Sequence, residues 1–470
     1  MNQSRLDRVV RAAICIIPYM RETNREQTTP AEQHRLAGVA AEEATRWQDA
    51  VDEYEQCLTL LSAPEPHAEA TLLTALGRCY WNLAEAKTAW RTLRRAISLY
   101  QQLGDGVGQA RATVEILRIW GPPERHRQMA EDALAALGDA DPYLRARLLL
   151  RLRWFDDDIN QKLEEVIRIA EEHGFDDLLA ERTDRDASTA IDEGRTEDAI
   201  RLRDEAHSAY ARVNAYDSAG AMLRRAGFST IEFGMLERGF MLSQRAFDYA
   251  MDVHLNGAAQ LALMDMAGVM FARGEFQQCE ELLARSPGQT DFRADLYRVW
   301  LAEARGDMDV ALRMMVSPER GGNAPPAMAL LHAAAGTMSR SGREDAARQA
   351  LQAWADVPRG WEEDICYETP ALLDCLIASG DDVLVRRVYA AFAQRDQRSK
   401  APFRFSTLVG RAFAPTRGAI ALKLGHIAEA EHHYREGLEW CETQRCVRDA
   451  DLCRNGLIEA RARGMNTASS

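Results

Sequence analysis

The stretch "GHIAEAEHHYREGLEW", Gly425 to Trp440, holds two adjacent histidines inside a strongly periodic run, and its reading decides the fold. Ile427, Ala430, Tyr434, Gly437 and Leu438 fall largely at steps of three and four, which turns one apolar or small face of a helix inward. Just upstream, "RGAIALKLG" reads as another helix ending at Gly425. The unit is helix, tight glycine turn, helix. His432 and His433 are neighbours on such a helix, so their side chains diverge by about 100° and do not share one metal. Cys441, Cys446 and Cys453 lie nearby, but their spacing matches no zinc knuckle or finger. The pair reads as a solvated helix face, with no metal and no cofactor.

The unit recurs. "IDEGRTEDAIRL", "ARGEFQQCEELL", "ARGDMDVALRM", "RSGREDAARQAL" and "ASGDDVLVRRVY" repeat the glycine turn. With Gly234 included, the turn glycines are Gly194, Gly234, Gly274, Gly306, Gly342, Gly380 and Gly425, separated by 40, 40, 32, 36, 38 and 45 residues. Five residues after each comes a mostly small residue: Ala199, Gly239, Cys279, Ala311, Ala347, Val385, Ala430. A small side chain there lets the second helix approach the first. The N-terminal half keeps the beat less cleanly, with turns expected near Thr45, Ala84, Gly121 and Asp156. A second series, Gly104, Gly138, Gly174, Asn214 and Asn256, suits the left-handed residue that ends a helix. Two interleaved series mean two helices per repeat and about eleven hairpins. A fixed period of this size signals an all-α solenoid, because each hairpin buries its apolar face only by stacking on its neighbours. No strand-like alternation of useful length is present.

The bulk numbers agree. A single compact core rarely exceeds about 300 residues, and this chain has 470, so its core extends by repetition. The net charge of −14 argues against non-specific binding to nucleic acid or an anionic membrane. Nine cysteines without a secreted disulfide pattern point to a reducing cytoplasm. Arg5, Arg8 and Arg11 before "AAICIIPYM" loosely resemble a signal peptide, but Asp7 interrupts the basic region and no small-x-small cleavage site follows. No run approaches the ~18 apolar residues of a membrane-spanning helix.

Several stretches resemble the tetratricopeptide repeat. In "TALGRCYWNLAEAKTAWRTLRRAISLY", Leu76, Gly77 and Tyr80 match the first-helix motif and Ala89, Leu93 and Ala96 the second helix. Gly38, Ala50, Tyr54 and Cys57 follow the same rule, as do Gly418, Ala430, Tyr434 and Gly437. The middle departs from the pattern: several gaps exceed the family's length, and His126 stands where a small residue belongs. "LYQQLGDGVGQARA" and "LAALGDADPYLRA" carry Leu-Gly-Asp after the second helix, which resembles the C-terminal repeat arm of LuxR-type regulators and related large regulatory ATPases. The resemblance implies a right-handed superhelix whose first helices line a concave groove. Positions similar to the family's groove-facing ones are Arg78, Trp81, Arg185, Arg224, Arg225, Phe228, Tyr297 and Trp300. Arginines interleaved with aromatics suit an acidic or aromatic peptide. The Lys/Asn clamp that some members use on a C-terminal carboxylate is not evident.

Other chemistry is thin. Phosphate-loop, zinc-protease and nucleophile-elbow motifs are missing from the sequence, so an enzyme is not expected. "GDGVG" follows a helix rather than a strand and does not read as a phosphate cradle. Gln394 to Arg417, "QRDQRSKAPFRFSTLVGRAFAPTR", adds six basic residues and one acidic, including Arg398, Lys400, Arg404, Arg411 and Arg417. It reads as an ordered long loop, either a docking patch for an acidic partner or a cap on neighbouring acidic helices. The expected organisation is a capping helix and linker over 1–30, an array over 31–316, a hinge loop over 317–327, a second array over 328–464 and a tail over 465–470. The expected function is a non-enzymatic scaffold for a protein or peptide segment, with homodimerisation open to it. The alternative is a peptide- or ligand-sensing regulator, a signalling arm without its own DNA-binding domain.

Overall fold

A computed structural model describes residues 29–61, 65–119, 123–152, 159–286, 292–315, 382–398, 404–406 and 410–468, with 345 and 377 as isolated positions. The expected leading helix, most of its linker and the 317–327 hinge lie outside the described residues, as do Gly121, Asp156, Gly342, Ala347 and Gly380. The chain divides into two compact units, Met1–Glu65 and Pro66–Ser470.

The described part of the first unit is a single hairpin, α1 (Pro30–Glu43) and α2 (Trp47–Leu60). Thr29 caps α1 by accepting from the Glu32 amide, and Pro30 takes the first helical position, where no amide donor is needed. Thr45 makes the turn with a φ of 55°. Gly38 leaves room for the Tyr54 ring, whose hydroxyl donates to Glu42 at 2.9 Å.

The second unit continues the hairpins. They are α3 (Pro66–Asn82) with α4 (Ala86–Leu103), α5 (Gly106–Ile116) with α6 (Pro123–Leu137), and α7 (Pro142–Leu152) with α8 (Ile159–His173). Then come α9 (Asp176–Asp192) with α10 (Thr196–Arg212), α11 (Tyr216–Glu232) with α12 (Leu236–Asp252), α13 (Asn256–Ala272) with α14 (Phe276–Ala284), and α15 (Phe292–Ala304) with α16 (Met308–Met315). After α17 (Asp382–Arg398), a short antiparallel pair, β1 (Phe405–Ser406) and β2 (Arg411–Ala412), precedes α18 (Ala414–Lys423), α19 (Ile427–Gln444) and α20 (Val447–Ala468). The fold is an all-α helical-repeat solenoid of tetratricopeptide-like hairpins. The two-residue strand pair falls where a long loop was expected, because residues this few leave no alternation to read.

The turns share one chemistry. A left-handed residue at Ala84, Gly194, Gly234, Gly274, Gly306 or Gly425 ends the first helix, and the next amide reaches back five residues, as in Glu85 N to Tyr80 O at 2.8 Å and Arg195 N to Ala190 O at 2.7 Å. Asn214 takes the same role between α10 and α11. Between α12 and α13 it falls to His254 with a φ of 56°, not to Asn256, which instead opens α13. Past each turn the small residue is sealed: Ala50, Ala89, Ala199, Cys279, Ala311, Val385 and Ala430 are all at 0% exposure. His126 occupies the odd position by packing its ring, tilted, 5.7 Å from that of Trp90.

Hairpins are also tied to their neighbours by charge. Arg225–Asp184, Arg224–Asp265, Arg238–Glu197 and Arg245–Asp204 each link residues 41 apart, one repeat plus one residue. Successive first helices touch, α3 on α5, α5 on α7, α11 on α13 and α13 on α15, which makes them the inner layer of a curved stack. Within this unit α13 also meets α3, with Gly257 against the Trp81 carbonyl. The stack closes on itself after five hairpins.

The C-terminal helices dock on the same stack. The Arg404 amide donates to Glu232 O at 3.0 Å, Trp440 Nε1 to Gly234 O at 3.1 Å, and the Leu236 amide to Gln444 Oε1 at 3.1 Å. Gly410 sits against the Gly268 carbonyl, Phe271 and Tyr297.

Candidate interaction surface

The inner helices carry an unusual amount of charge for a buried layer. Glu115 ends α5 within 2.7 Å of Arg118 and 3.7 Å of Arg78. The other nitrogen of Arg118 reaches Asp217 of α11 at 3.0 Å, skipping α7 and α9. On α7, Arg147 lies 3.5 Å from the Tyr143 hydroxyl and 3.8 Å from Asp177 of α9, while Tyr143 itself donates to Asp177 at 2.8 Å. Further along, Tyr210 donates to Glu181 at 2.6 Å, and Asp184 accepts from both Arg203 and Arg225.

The electrostatics follow from that crowding. Burial opposes the charge on Arg118, but Asp217 and Glu115 outweigh it and raise its pKa. Burial likewise opposes ionisation of Asp217, and Arg118, Arg147 and Arg151 overcome it. Arg151 goes the other way: burial, with repulsion from Arg147 and Arg118, lowers its pKa to about 10. Arg151 stays charged at neutral pH, held among like charges in a low-dielectric setting. Burial pushes Tyr143 up to about 12.

The groove positions expected from sequence separate into two groups. Arg78, half-buried Trp81, Arg185, Arg224, Arg225 and Phe228 belong to the inner helices α3, α9 and α11. Their arginines are already engaged. Arg224 grips Asp265 through two bonds of 2.9 and 3.2 Å and lies over the Phe228 ring, Arg225 holds Asp184, and Arg185 meets Glu164 at 3.0 Å. Tyr297 and Trp300 need correction as groove residues. They are 0% and 5% exposed and pack with Phe271 at ring separations of 5.8 and 6.0 Å, because their face of α15 meets α13.

In the basic segment, Arg411 is 8% exposed and bonded to Asp449, so it ties the hairpin to α20 and offers nothing to an outside partner. Arg417 lies over the Phe392 ring at 5.1 Å, and the half-buried Arg404 packs beside Gly234. Lys400 and the side chain of Arg398 lie outside the described residues.

Sequence reasoning missed Arg118, Arg147, Arg151 and Asp217. A signal existed in "PYLRARLLLRL": Arg147 and Arg151 are four apart in a helix whose Leu144, Ala146, Leu148, Leu149, Leu150 and Leu152 are buried. Arginine inside so apolar a helix needs a polar surface to face.

Among the described residues no helix is long and apolar enough to cross a membrane, and no group of three or more His, Cys, Asp or Glu side chains is placed to hold a metal ion. His432 and His433 turn to different carboxylates, Glu436 at 3.6 Å and Glu429 at 3.8 Å.

No protein-family model matches the chain, and no curated protein is similar to it. Solved structures are. A Rap protein complexed with competence and sporulation factor is 11% identical over 92% of this chain and 99% of that one, with a TM-score of 0.37. A human IFIT1 dimer with m7Gppp-AAAA is 12% identical over 94% and 96%, with a TM-score of 0.34. Yeast Tom70 is 12% identical over 92% and 96%, with a TM-score of 0.26.

Proposed function

We propose that the chain is a binding scaffold without chemistry of its own, which holds an extended protein or peptide segment against the inner faces of α3 to α9. One observation carries this reading: charged and hydroxyl side chains, Arg78, Arg118, Tyr143, Arg147, Arg151 and Glu181, gather on the inner layer of an otherwise apolar stack. Polar groups cost free energy to bury, so a fold indifferent to ligands has no reason to collect them there. The inner faces of α11 and α13 are less accessible, since the C-terminal strand pair contacts both and α20 contacts α13. Six described cysteines are buried thiols outside any disulfide, which fits a reducing cytoplasm.

The test is selection of ten-residue peptides from a random library on the purified full chain, followed by photo-crosslinking from probes placed at Arg78, Arg151 and Arg185 and, for comparison, at Arg201 on the second helix α10. Peptides that crosslink at these inner positions support the reading. Crosslinks confined to Arg201 on α10, or no selected peptide, overturn it. The regulatory alternative, a signalling arm similar to those of LuxR-type regulators, gains from one feature: Arg118–Asp217 bridges α5 and α11, so a ligand competing for Arg118 would alter how the stack closes. Compaction or opening in small-angle scattering when a selected peptide is added would favour it.

A further inference from the structure

We propose that Arg151, with Arg147 one turn before it, is a carboxylate subsite, and that a segment bound to the inner face places an aspartate or glutamate there. This rests on the scaffold reading and names the chemistry of its ligand.

The argument begins with an inventory. Six arginines gather along this stretch of the unit, Arg78, Arg118, Arg147, Arg151, Arg203 and Arg225, among the carboxylates of Glu115, Asp177, Glu181, Asp184, Asp192 and Asp217. Five of the arginines have a carboxylate within 4.0 Å: Arg78, Arg118, Arg147, Arg203 and Arg225. Arg151 is the exception among the described residues. It senses Glu181 and Asp217 only at long range, and no hydrogen bond or ion pair joins it to a described residue. Arg147 is loosely held, its nearest acceptors standing at 3.5 and 3.8 Å, beyond good hydrogen-bond length.

Spacing four residues apart on α7 puts the two guanidiniums on neighbouring turns of one face. Together they present more donors than the fold uses, in a planar fork geometry that matches a carboxylate. Arg151 brings one positive charge with no described carboxylate in close contact, which suits a monoanion. A phosphate's two charges would meet repulsion from Asp217, Glu181 and Asp177 nearby, and a chain of −14 is a poor host for nucleic acid.

The test uses the full chain and two ten-residue libraries, identical except that one contains Asp and Glu where the other contains Asn and Gln. Native protein should bind the acidic library about 10-fold more tightly or better, the scale of a charge-assisted bond. Arg151→Gln should lose that preference, and Arg151→Lys should keep part of it. Equal binding of both libraries by native protein overturns the subsite and leaves the scaffold standing. A preference that persists in Arg151→Gln also overturns it. Binding of neither library removes both readings. Because no described residue pairs with Arg151, Arg151→Gln should melt at or above the native temperature. A fall of several degrees would mark Arg151 as a structural group and overturn the assignment.

Discussion

Arg411 Nε lies 2.7 Å from Oδ1 of Asp449, while the Ala412 amide donates to the other carboxylate oxygen at 2.6 Å. Asp449 is 1% exposed, so one buried carboxylate holds a guanidinium and a strand amide at once. Removing it strands both donors. Asp449→Ala should cost about 3–5 kcal/mol, the range for breaking a buried pair from one side. Asp449→Asn keeps an acceptor for one donor and should cost less. Urea unfolding of the two variants checks the order, and equal, small losses would show that the hairpin is not anchored through Asp449.

The hairpins are locked by a void filled from the opposite helix. A Cβ built on Gly38, Gly77 or Gly418 would overlap Tyr54, Leu93 or Tyr434, in each case the residue sixteen positions later. Gly77→Ala should therefore destabilise by about 1–3 kcal/mol although alanine is the better helix former. Ala430→Trp, at a site with 0% exposure, should overpack the last hairpin by a similar or larger amount. Unchanged melting of either variant would contradict the packing register.

These glycines explain why the fold was legible. Gly38, Gly77 and Gly418, and the sealed small residues from Ala50 to Ala430, obey local steric rules that repeat at every turn. The inner charge was legible only in part. Arg224 and Arg225 stand at inner positions, as their place in the repeat implies, but their partners Asp265 and Asp184 lie 41 residues away. A pairing one repeat distant leaves no local trace, so arginines spent on neighbours look the same as arginines left for a ligand. Tyr297 and Trp300 misled for a related reason: which face of α15 meets α13 depends on the packing of whole helices, not on their own spacing.

His126 gives the fold a pH dependence of known sign. It is 4% exposed, and burial, with Arg125 and Arg151 nearby, lowers its pKa to about 4 from an ordinary 6.5. Between those values the unfolded chain holds the proton and the folded chain does not. This contribution is therefore complete above pH 6.5 and is lost as the pH falls toward 4, by up to about 3 kcal/mol. Denaturant unfolding at pH 4.5 and 7.5 measures the loss. His126→Leu should shrink the difference by about 2–3 kcal/mol, and an identical difference in native and variant protein would mean that His126 is protonated in the fold.

Probing the inner face by charge reversal requires choosing among its arginines. Arg224 forms two bonds to Asp265, which is 0% exposed. Arg224→Glu would set two carboxylates against each other in the core. It should cost more than about 3 kcal/mol, and Asp265→Ala a comparable amount. Arg185 pairs with Glu164, whose side chain is 68% exposed, and a pair so open to solvent contributes little. Arg185→Glu should change stability by less than about 1 kcal/mol, leaving the fold intact. A peptide lost from Arg224→Glu therefore reports unfolding as readily as a missing contact, while one lost from Arg185→Glu reports the surface. Melting curves of the two variants decide the premise: if Arg224→Glu melts like the native chain, the ties between neighbouring repeats do not hold the stack together.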